Sequence, residues 1–305
     1  MLPTTISQAL NVSSIPVSFR EAEVLLAHVL TCSREHLHTH PEQVLTPEQL
    51  GLYQGFLERR QRNEPVAYIT GVKEFYGRPF KCDSRALIPR PETEGVIELA
   101  VPFLTQWFKD HAKAANKPCP VEALELGTGA GNIGVTLALE LQQAGTPATI
   151  ILTDVSGEAL ELAKENYETL DPKPSPHTVV SFLKADLFAH EKISGKRFQL
   201  ITANLPYIAP AWRMNPSAQP DVLFHEPDVA LFGGDEDGLG LYRSFFNEAP
   251  SYLAQGGRVI VEYGEDQTPA LKPLAETAFP GATITVHKDY AGLDRILEII
   301  PHQPE

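Results

Sequence analysis

Asn204-Leu205-Pro206-Tyr207 is a short run whose groups could hold a planar nitrogen for alkylation. An amide or exocyclic amino nitrogen is a poor nucleophile because its lone pair is delocalised. A protein that alkylates one must accept from both N–H groups and aim the remaining lobe at the electrophilic carbon. Asn204 offers a side-chain carbonyl for one N–H, and the backbone carbonyl of Leu205 can take the other. Pro206 fixes the local backbone, and Tyr207 supplies a flat face for the planar group. Two fixed acceptors also stabilise positive charge developing on nitrogen, and the positioning itself lowers the barrier. No strong base is required, since the nitrogen becomes acidic once alkylated. The same residue types also make an ordinary turn after a strand, so their setting has to decide.

Upstream, Glu125-Leu126-Gly127-Thr128-Gly129-Ala130-Gly131-Asn132-Ile133-Gly134 follows an apolar run and opens a helical pattern. Glycine lets a backbone turn tightly and approach a ligand, so Gly127, Thr128, Gly129, Ala130 and Gly131 are candidates to contact a cofactor. Gly129 through Gly134 also satisfies G-x-G-x-x-G, the dinucleotide fingerprint, which alone is weak. Asp154 ends the next apolar run, where a carboxylate can accept from both ribose hydroxyls of either cofactor type. Asp186 follows the third run, placed to accept from an adenine amino group. Both acids could instead cap a helix or a turn. The start of the loop, Glu-Leu-Gly-Thr-Gly, resembles motif I of class I methyltransferases more than the start of a dehydrogenase.

The elements that must carry these residues can be read from periodicity. Apolar runs predict strands at 121–126, 149–154, 178–183, 198–203, 257–263, 283–287 and 294–299. Helical patterns fall at 132–143, 157–169, 238–253 and 268–278. Such alternation predicts an α/β fold with a mainly parallel sheet covered on both faces. Ligands of such sheets bind outside the carboxyl ends of the strands, which places Asn204 beside the cofactor.

The N-terminal residues read differently. Ser18-Phe19-Arg20-Glu21 is a capping-box pattern, and Thr46-Pro47-Glu48-Gln49 is a second helix start, its helix running to Arg60. Residues 1–65 are therefore expected to be helical. Residues 66–88, with Tyr68-Ile69-Thr70 and Phe75-Tyr76 punctuated by glycine, predict a hairpin linker. Pro91 opens a helix expected through Leu104, within a larger unit of residues 89–305.

Bulk properties narrow the class. The 305 residues carry 25 Lys and Arg against 39 Asp and Glu, a net charge of -14. That field repels nucleic acid and favours a protein partner. Residues 1–62 hold five Arg and six acids, so the segment is near neutral. No apolar stretch approaches the ~18 residues of a membrane span, so a cytoplasmic protein is expected. Cys32, Cys82 and Cys119 are scattered and suit a reducing compartment. His36, His38 and His40 alternate but lack a fourth ligand nearby, so no metal is expected.

Over almost its whole length the chain resembles the protein-(glutamine-N(5)) methyltransferases that modify peptide chain release factors, the HemK/PrmC family. The likeness covers Glu64 to Gly71, Glu74 to Gly77, Leu87-Ile88-Pro89-Arg90-Pro91-Glu92-Thr93-Glu94, the glycine loop and Asn204 to Ile208. It continues through Glu226-Pro227, Gly233-Gly234, Asp237-Gly238-Leu239, Tyr242-Arg243 and Gly292 to Arg295. The stretch Ile88 to Glu94 is the most specific.

The resemblance implies a helical N-terminal domain that helps bind the release factor, a β-hairpin linker and a Rossmann-like class I methyltransferase domain with a seven-stranded sheet. It implies S-adenosylmethionine as cofactor and the glutamine of a release factor's Gly-Gly-Gln loop as acceptor. By position, Gly127 to Gly131 and Asp154 would hold the cofactor, Leu187 would flank its adenine, and Asn204 to Tyr207 would hold the glutamine. The family usually has Asn-Pro-Pro-Tyr, whereas the second residue here is Leu205. Leucine keeps the carbonyl and loses proline's rigidity. Asn-Leu-Pro-Tyr also resembles the clamp of ribosomal RNA adenine dimethyltransferases. A glutamine of a ribosomal protein, or adenine in nucleic acid, therefore stands as an alternative acceptor. Arg90, Glu92 and Glu226 are left open between ligand contacts and interdomain ion pairs.

Overall fold

The computed structural model describes residues 4–11, 16–114, 119–171, 173, 175–215 and 220–302, and the expected units 1–65 and 89–305 are followed only within them. Five helices come first: α1 (Ile6–Ala9), α2 (Phe19–Leu30), α3 (Arg34–Thr39), α4 (Pro47–Gln61) and α5 (Val66–Thr70). Capping boxes at Thr5, Ser18 and Thr46 satisfy the first free N–H groups of α1, α2 and α4. Leu25, Leu26, Leu37, Tyr53 and Leu57 form the core these helices share.

Tyr68-Ile69-Thr70 belongs to a helix rather than to a strand. Pro65 opens that turn, the Thr70 hydroxyl bonds back to the Val66 carbonyl, and Gly71 at φ 74° stops it. Five residues are too few to show a period, so aromatic and β-branched content misleads there. The hairpin itself is β1 (Val72–Phe75) and β2 (Arg78–Lys81), closed by Tyr76 and Gly77 with φ 51° and 70°. Two left-handed residues in a two-residue loop match the right-handed twist of the strands. Phe75 and Phe80 point from it into the core beneath the large sheet.

A 3-10 turn at Pro91–Thr93 leads into α6 (Glu94–Ala114), which runs ten residues beyond the expected end at Leu104. There follow β3 (Val121–Leu126), α7 (Asn132–Gln143), β4 (Ala148–Asp154), α8 (Gly157–Leu170), β5 (Thr178–Lys184) and β6 (Phe198–Ala203). Then come α9 (Pro220–His225), α10 (Asp228–Leu231), α11 (Gly240–Glu248), β7 (Leu253–Glu262), α12 (Thr268–Ala278), β8 (Thr283–Lys288) and β9 (Asp294–Ile300). The helix expected over 238–253 is shorter because Pro250 cannot continue it. The chain makes one 3-10 turn at Ala249–Ser251 and enters β7.

The seven strands stand in the order β5-β4-β3-β6-β7-β9-β8, and β9 runs against both of its neighbours. Along β3, Val121 and Ala123 face one layer while Leu124 and Leu126 face the other. The first layer holds α6, α7 and the hairpin, and the second holds α11 and α12. The chain leaves β3 towards β4 on one side and returns on the other as β6. That reversal opens a crevice at the carboxyl ends of β3 and β6.

Gly134 fixes the packing of α7 on the sheet. A Cβ there would fall on Leu152 Cδ2 and on Glu125 Oε2, leaving no room for one. Gly134→Ala is therefore expected to destabilise the fold by ~1–3 kcal/mol or more, although alanine is the better helix former by about 1 kcal/mol. Thermal denaturation tests this, and an unchanged melting temperature would show that α7 can lift from the sheet freely.

Candidate active site

A cavity of about 710 Å³ occupies the crevice where β3 and β6 diverge. Its floor is the glycine loop. Gly127, Gly129 and Gly131 have φ of 68°, 54° and 82°, which side chains with a Cβ rarely adopt. The loop is pinned from behind: Thr128 N donates to Thr153 O at 2.8 Å, and Gly129 N to Asp154 Oδ2 at 2.9 Å. Gly127, Thr128, Gly129 and Ala130 line the cavity. Gly131 is not among the lining residues and serves packing, since a Cβ on it would stand 3.0 Å from that of Ala163 on α8.

Asp154 lines the cavity with both carboxyl oxygens engaged, Oδ1 accepting from Ser156 N at 2.8 Å. Burial pushes its carboxyl up, and the Ser156 and Gly129 N–H groups oppose that. Asp186 and Leu187 form the next stretch of wall, with Leu187 held left-handed at φ 47°. Glu125 lies deeper and fully buried, accepting from the Thr128 hydroxyl at 2.7 Å. Burial pushes this carboxyl up to about 8, against the pull of hydrogen bonds from Thr128 and Gly134. The motif pattern assigns Glu125 no role, although a glutamate inside an apolar parallel strand is itself a signal.

Asn204, Leu205 and Pro206 line the same cavity beside the loop. Asn204 Nδ2 donates to Thr93 Oγ1 at 3.4 Å, which turns the amino edge to the protein and leaves the carbonyl edge for a ligand. Leu205 N donates to the Tyr242 hydroxyl at 3.2 Å, and that hydroxyl donates to the Glu262 carbonyl. The Leu205 side chain is buried and abuts Gly127. Tyr207 is not among the residues lining the cavity; it packs against the core behind it, its carbonyl accepting from Gln267 Nε2 at 2.8 Å. Gly233 and Gly238 press on the carbonyls of Pro206 and Tyr207 so closely that neither has room for a Cβ.

The remaining wall comes from segments on either side. Glu226, 4% exposed, accepts from Ile88 N at 3.1 Å and from Arg90 Nη2 at 2.6 Å. Arg90 thus forms an ion pair while its side chain also lines the cavity, and the pair ties residues 85–90 to 226–234 across the mouth. The Tyr68 hydroxyl reaches the Ala86 carbonyl at 2.8 Å, joining α5 to the same wall. His36 and His38 lie elsewhere, bonded to Gln43 and Glu23. Among the described residues no group of three His, Cys, Asp or Glu is arranged for a metal.

These features suit one cofactor chemistry. Backbone that can be approached closely, a carboxylate after β4, a second acceptor at Asp186 and an apolar wall at Leu187 and Ile133 fit an adenosine. Asn204 and Leu205 line the same cavity and carry carbonyl oxygens, a chemistry that suits a methyl donor and an amide acceptor better than a hydride donor. S-adenosylmethionine meets both requirements.

Comparison with known proteins agrees with this geometry. Residues 4–71 match the family model described as PrmC N-terminal domain, and residues 120–295 match a methyltransferase domain. The release factor glutamine methyltransferase of Bacillus anthracis is 34% identical over 276 residues, covering 90% of each chain. That of Neisseria gonorrhoeae is 36% identical over 293 residues, covering 96% of each. Among solved structures, the hMettl16 catalytic domain in complex with an RNA hairpin superposes with a TM-score of 0.53. Its identity is 14%, it covers 86% of this chain and 85% of its own, and it shows the fold alone.

Two outcomes follow from the buried groups. Tyr242→Phe strips a partner from both Leu205 N–H and Glu262 O, and should destabilise by ~1–3 kcal/mol. Leu205→Pro removes the same N–H, so the double variant should cost less than the sum in equilibrium unfolding; strict additivity would show the bond carries nothing. For Glu125, the folded protein keeps a proton that the unfolded chain releases between the ordinary 4.5 and about 8. Its contribution is favourable below that window and is lost as pH rises through it. Glu125→Gln should therefore flatten the fall in melting temperature towards pH 8. An unaltered slope would assign the fall to other groups.

Proposed function

We propose a function that proceeds from one premise: this chain belongs to the release factor glutamine methyltransferases. It transfers a methyl group to the side-chain amide nitrogen of the glutamine in the Gly-Gly-Gln loop of a peptide chain release factor. The observation that carries this reading is that Asn204 and Leu205 line the same cavity as the glycine loop, with the Asn204 amino group turned to Thr93.

S-adenosylmethionine bound in that cavity supplies the electrophilic methyl carbon. Gly127, Thr128, Gly129 and Ala130 shape its cradle, with Gly131 setting the loop against α8. Asp154, Asp186 and Leu187 line the same cavity; Asp154 would accept from the ribose, Asp186 from the adenine amino group, and Leu187 would pack on the adenine. Asn204 Oδ1 accepts one N–H of the glutamine amide and the Leu205 carbonyl the other, which aims the nitrogen's free lobe into the cavity. Pro206 limits how far that carbonyl can swing, and Tyr207, packed against the core behind the cavity, backs the acceptor peptide without lining the site. As the nitrogen–methyl bond forms, the methyl–sulfur bond breaks and its electron pair stays on sulfur as a neutral thioether; the extra proton on the alkylated nitrogen is acidic and leaves to water. Positioning and two preorganised acceptors supply the rate enhancement.

The helical residues 1–65 contribute to binding the release factor, the linker of residues 66–88 joins them to the cavity wall, and residues 89–305 carry the chemistry. Arg60 pairs with Asp221 at 3.6 Å, and His225 Nε2 lies 3.2 Å from Arg62 O, so a partner docked on the helices is coupled to α9 near the cavity mouth. A net charge of -14 favours a protein substrate over nucleic acid. No helix among the described residues is long and apolar enough to cross a membrane. A partner from translation puts the reaction in the cytoplasm.

Labelled methyl transfer to a purified release factor tests the reading. Label is expected on the factor with its loop glutamine and none when that glutamine is replaced; label on the replaced form, or on neither, overturns it. Asn204→Ala should lower turnover by ~10²–10³-fold while calorimetry shows S-adenosylmethionine binding retained. Undiminished turnover would remove Asn204 from the acceptor role.

A further inference from the structure

Glu262 ends β7, and its side chain is 1% exposed. Parallel pairing sets Ala203 of β6 against Val261 of β7, so the next residues along, Asn204 and Glu262, stand side by side. The Glu262 carboxyl faces the Thr93 hydroxyl and the Asn204 amide, which are themselves 3.4 Å apart. Its Oε2 has no hydrogen-bond partner among the described residues. A buried carboxyl that is incompletely satisfied is costly and calls for a reason. The same residue's carbonyl accepts from Tyr242, which holds Leu205 N–H. Glu262 thus touches Asn204 through its side chain and reaches Leu205 through its backbone.

An asparagine amide has two edges of like shape and opposite polarity, so its surroundings decide which edge faces a ligand. An ionised Glu262 accepts only. The donors facing it are the Thr93 O–H and Asn204 Nδ2, so the ionised form favours the amino edge inward and Oδ1 towards the cavity. A protonated Glu262 can donate to Oδ1 instead. That allows the reversed amide, which would set an N–H against the N–H of an incoming substrate.

We propose that Glu262 is a positioning residue whose carboxylate holds the Asn204 amide in the accepting orientation, so that ionisation of this one buried side chain gates methyl transfer. The inference rests on the proposed acceptor role of Asn204. Burial pushes the Glu262 carboxyl up to about 7; the Glu92 charge adds to this, while Thr93, Arg295 and Asn204 oppose it. The other titratable groups facing it are the Tyr207 and Tyr242 phenols, which burial pushes well up and keeps neutral. Transfer therefore rises with pH through neutrality as the carboxylate forms.

The test is kcat against pH for methyl transfer to a release factor, from about pH 6 to about pH 9. Wild type should fall ~10-fold per unit on the acid side of an inflection near neutrality. Glu262→Gln keeps a carbonyl acceptor but cannot titrate. It should lose the acid limb and about 10-fold or more of plateau kcat, with cofactor affinity and melting temperature near wild type. Thr93→Val removes a donor to the carboxylate and should move the limb to higher pH, and Thr93→Ser should restore it. A limb that persists unchanged in Glu262→Gln overturns the inference. So does an unmoved limb in an active Thr93→Val enzyme, which decides the matter where Glu262→Gln does not fold. Wild type inactive at every pH instead overturns the proposed function, and this inference with it.

Discussion

Gly127 and Leu205 meet where β3 and β6 part. A Cβ on Gly127 would stand 3.1 Å from Leu205 Cδ2 and 3.9 Å from the Asn204 carbonyl oxygen. The loop that cradles the donor and the peptide that holds the acceptor are therefore packed in direct contact. Their separation is set by a glycine, a buried leucine side chain and two adjacent parallel strands paired Leu126 with Ala203. Alkylation requires donor and acceptor atoms aligned to within a fraction of an ångström, and a 1 Å error costs on the order of 100-fold. A contact between backbones carried by neighbouring strands supplies that precision better than long side chains from separate loops.

The sheet edge also gathers acids. Glu125, Asp154 and Glu262 stand at or near the carboxyl ends of β3, β4 and β7, and burial raises all three. Nearby donors oppose that rise in each case: Thr128 and Gly134 for Glu125, Ser156 and Gly129 for Asp154, Thr93 and Asn204 for Glu262. A core built for stability alone would place leucine or valine at such positions. Here the acids orient the glycine loop on one side and the acceptor peptide on the other.

Much of this was legible because periodicity reports burial. The central strands β3 and β6 alternate residues between two buried faces, and every strand expected between Val121 and Ile300 lies at the expected place within a few residues. Glycine and aspartate in the loops announced a ligand because of where such strands end. What was hidden had no period. Tyr68-Ile69-Thr70 is one turn of helix, stopped by Gly71. Among the described residues between Ile208 and Gly238, the wall uses short helices and a bridge between Ile208 and Phe232. Thr93 and Glu262 acquire meaning only through Asn204, which lies 111 residues from the first. Local sequence cannot show a hydrogen bond across such a span, while strand register can.

Leu205 shows how one constraint can replace another. A proline at that position would stiffen the peptide covalently, by its ring, and would offer no N–H. Leucine brings a donor, and the structure uses it: the N–H is held by Tyr242, whose own proton is held by Glu262. The apolar side chain fills the space against Gly127. Rigidity that a ring would confer locally is thereby tied to β7, and both halves of the acceptor pair then depend on one residue. The Leu205 peptide is steadied through the Glu262 carbonyl, and the Asn204 amide is oriented through its carboxyl. The clamp is as rigid as that strand end, and a change at Glu262 reaches both of its acceptors together.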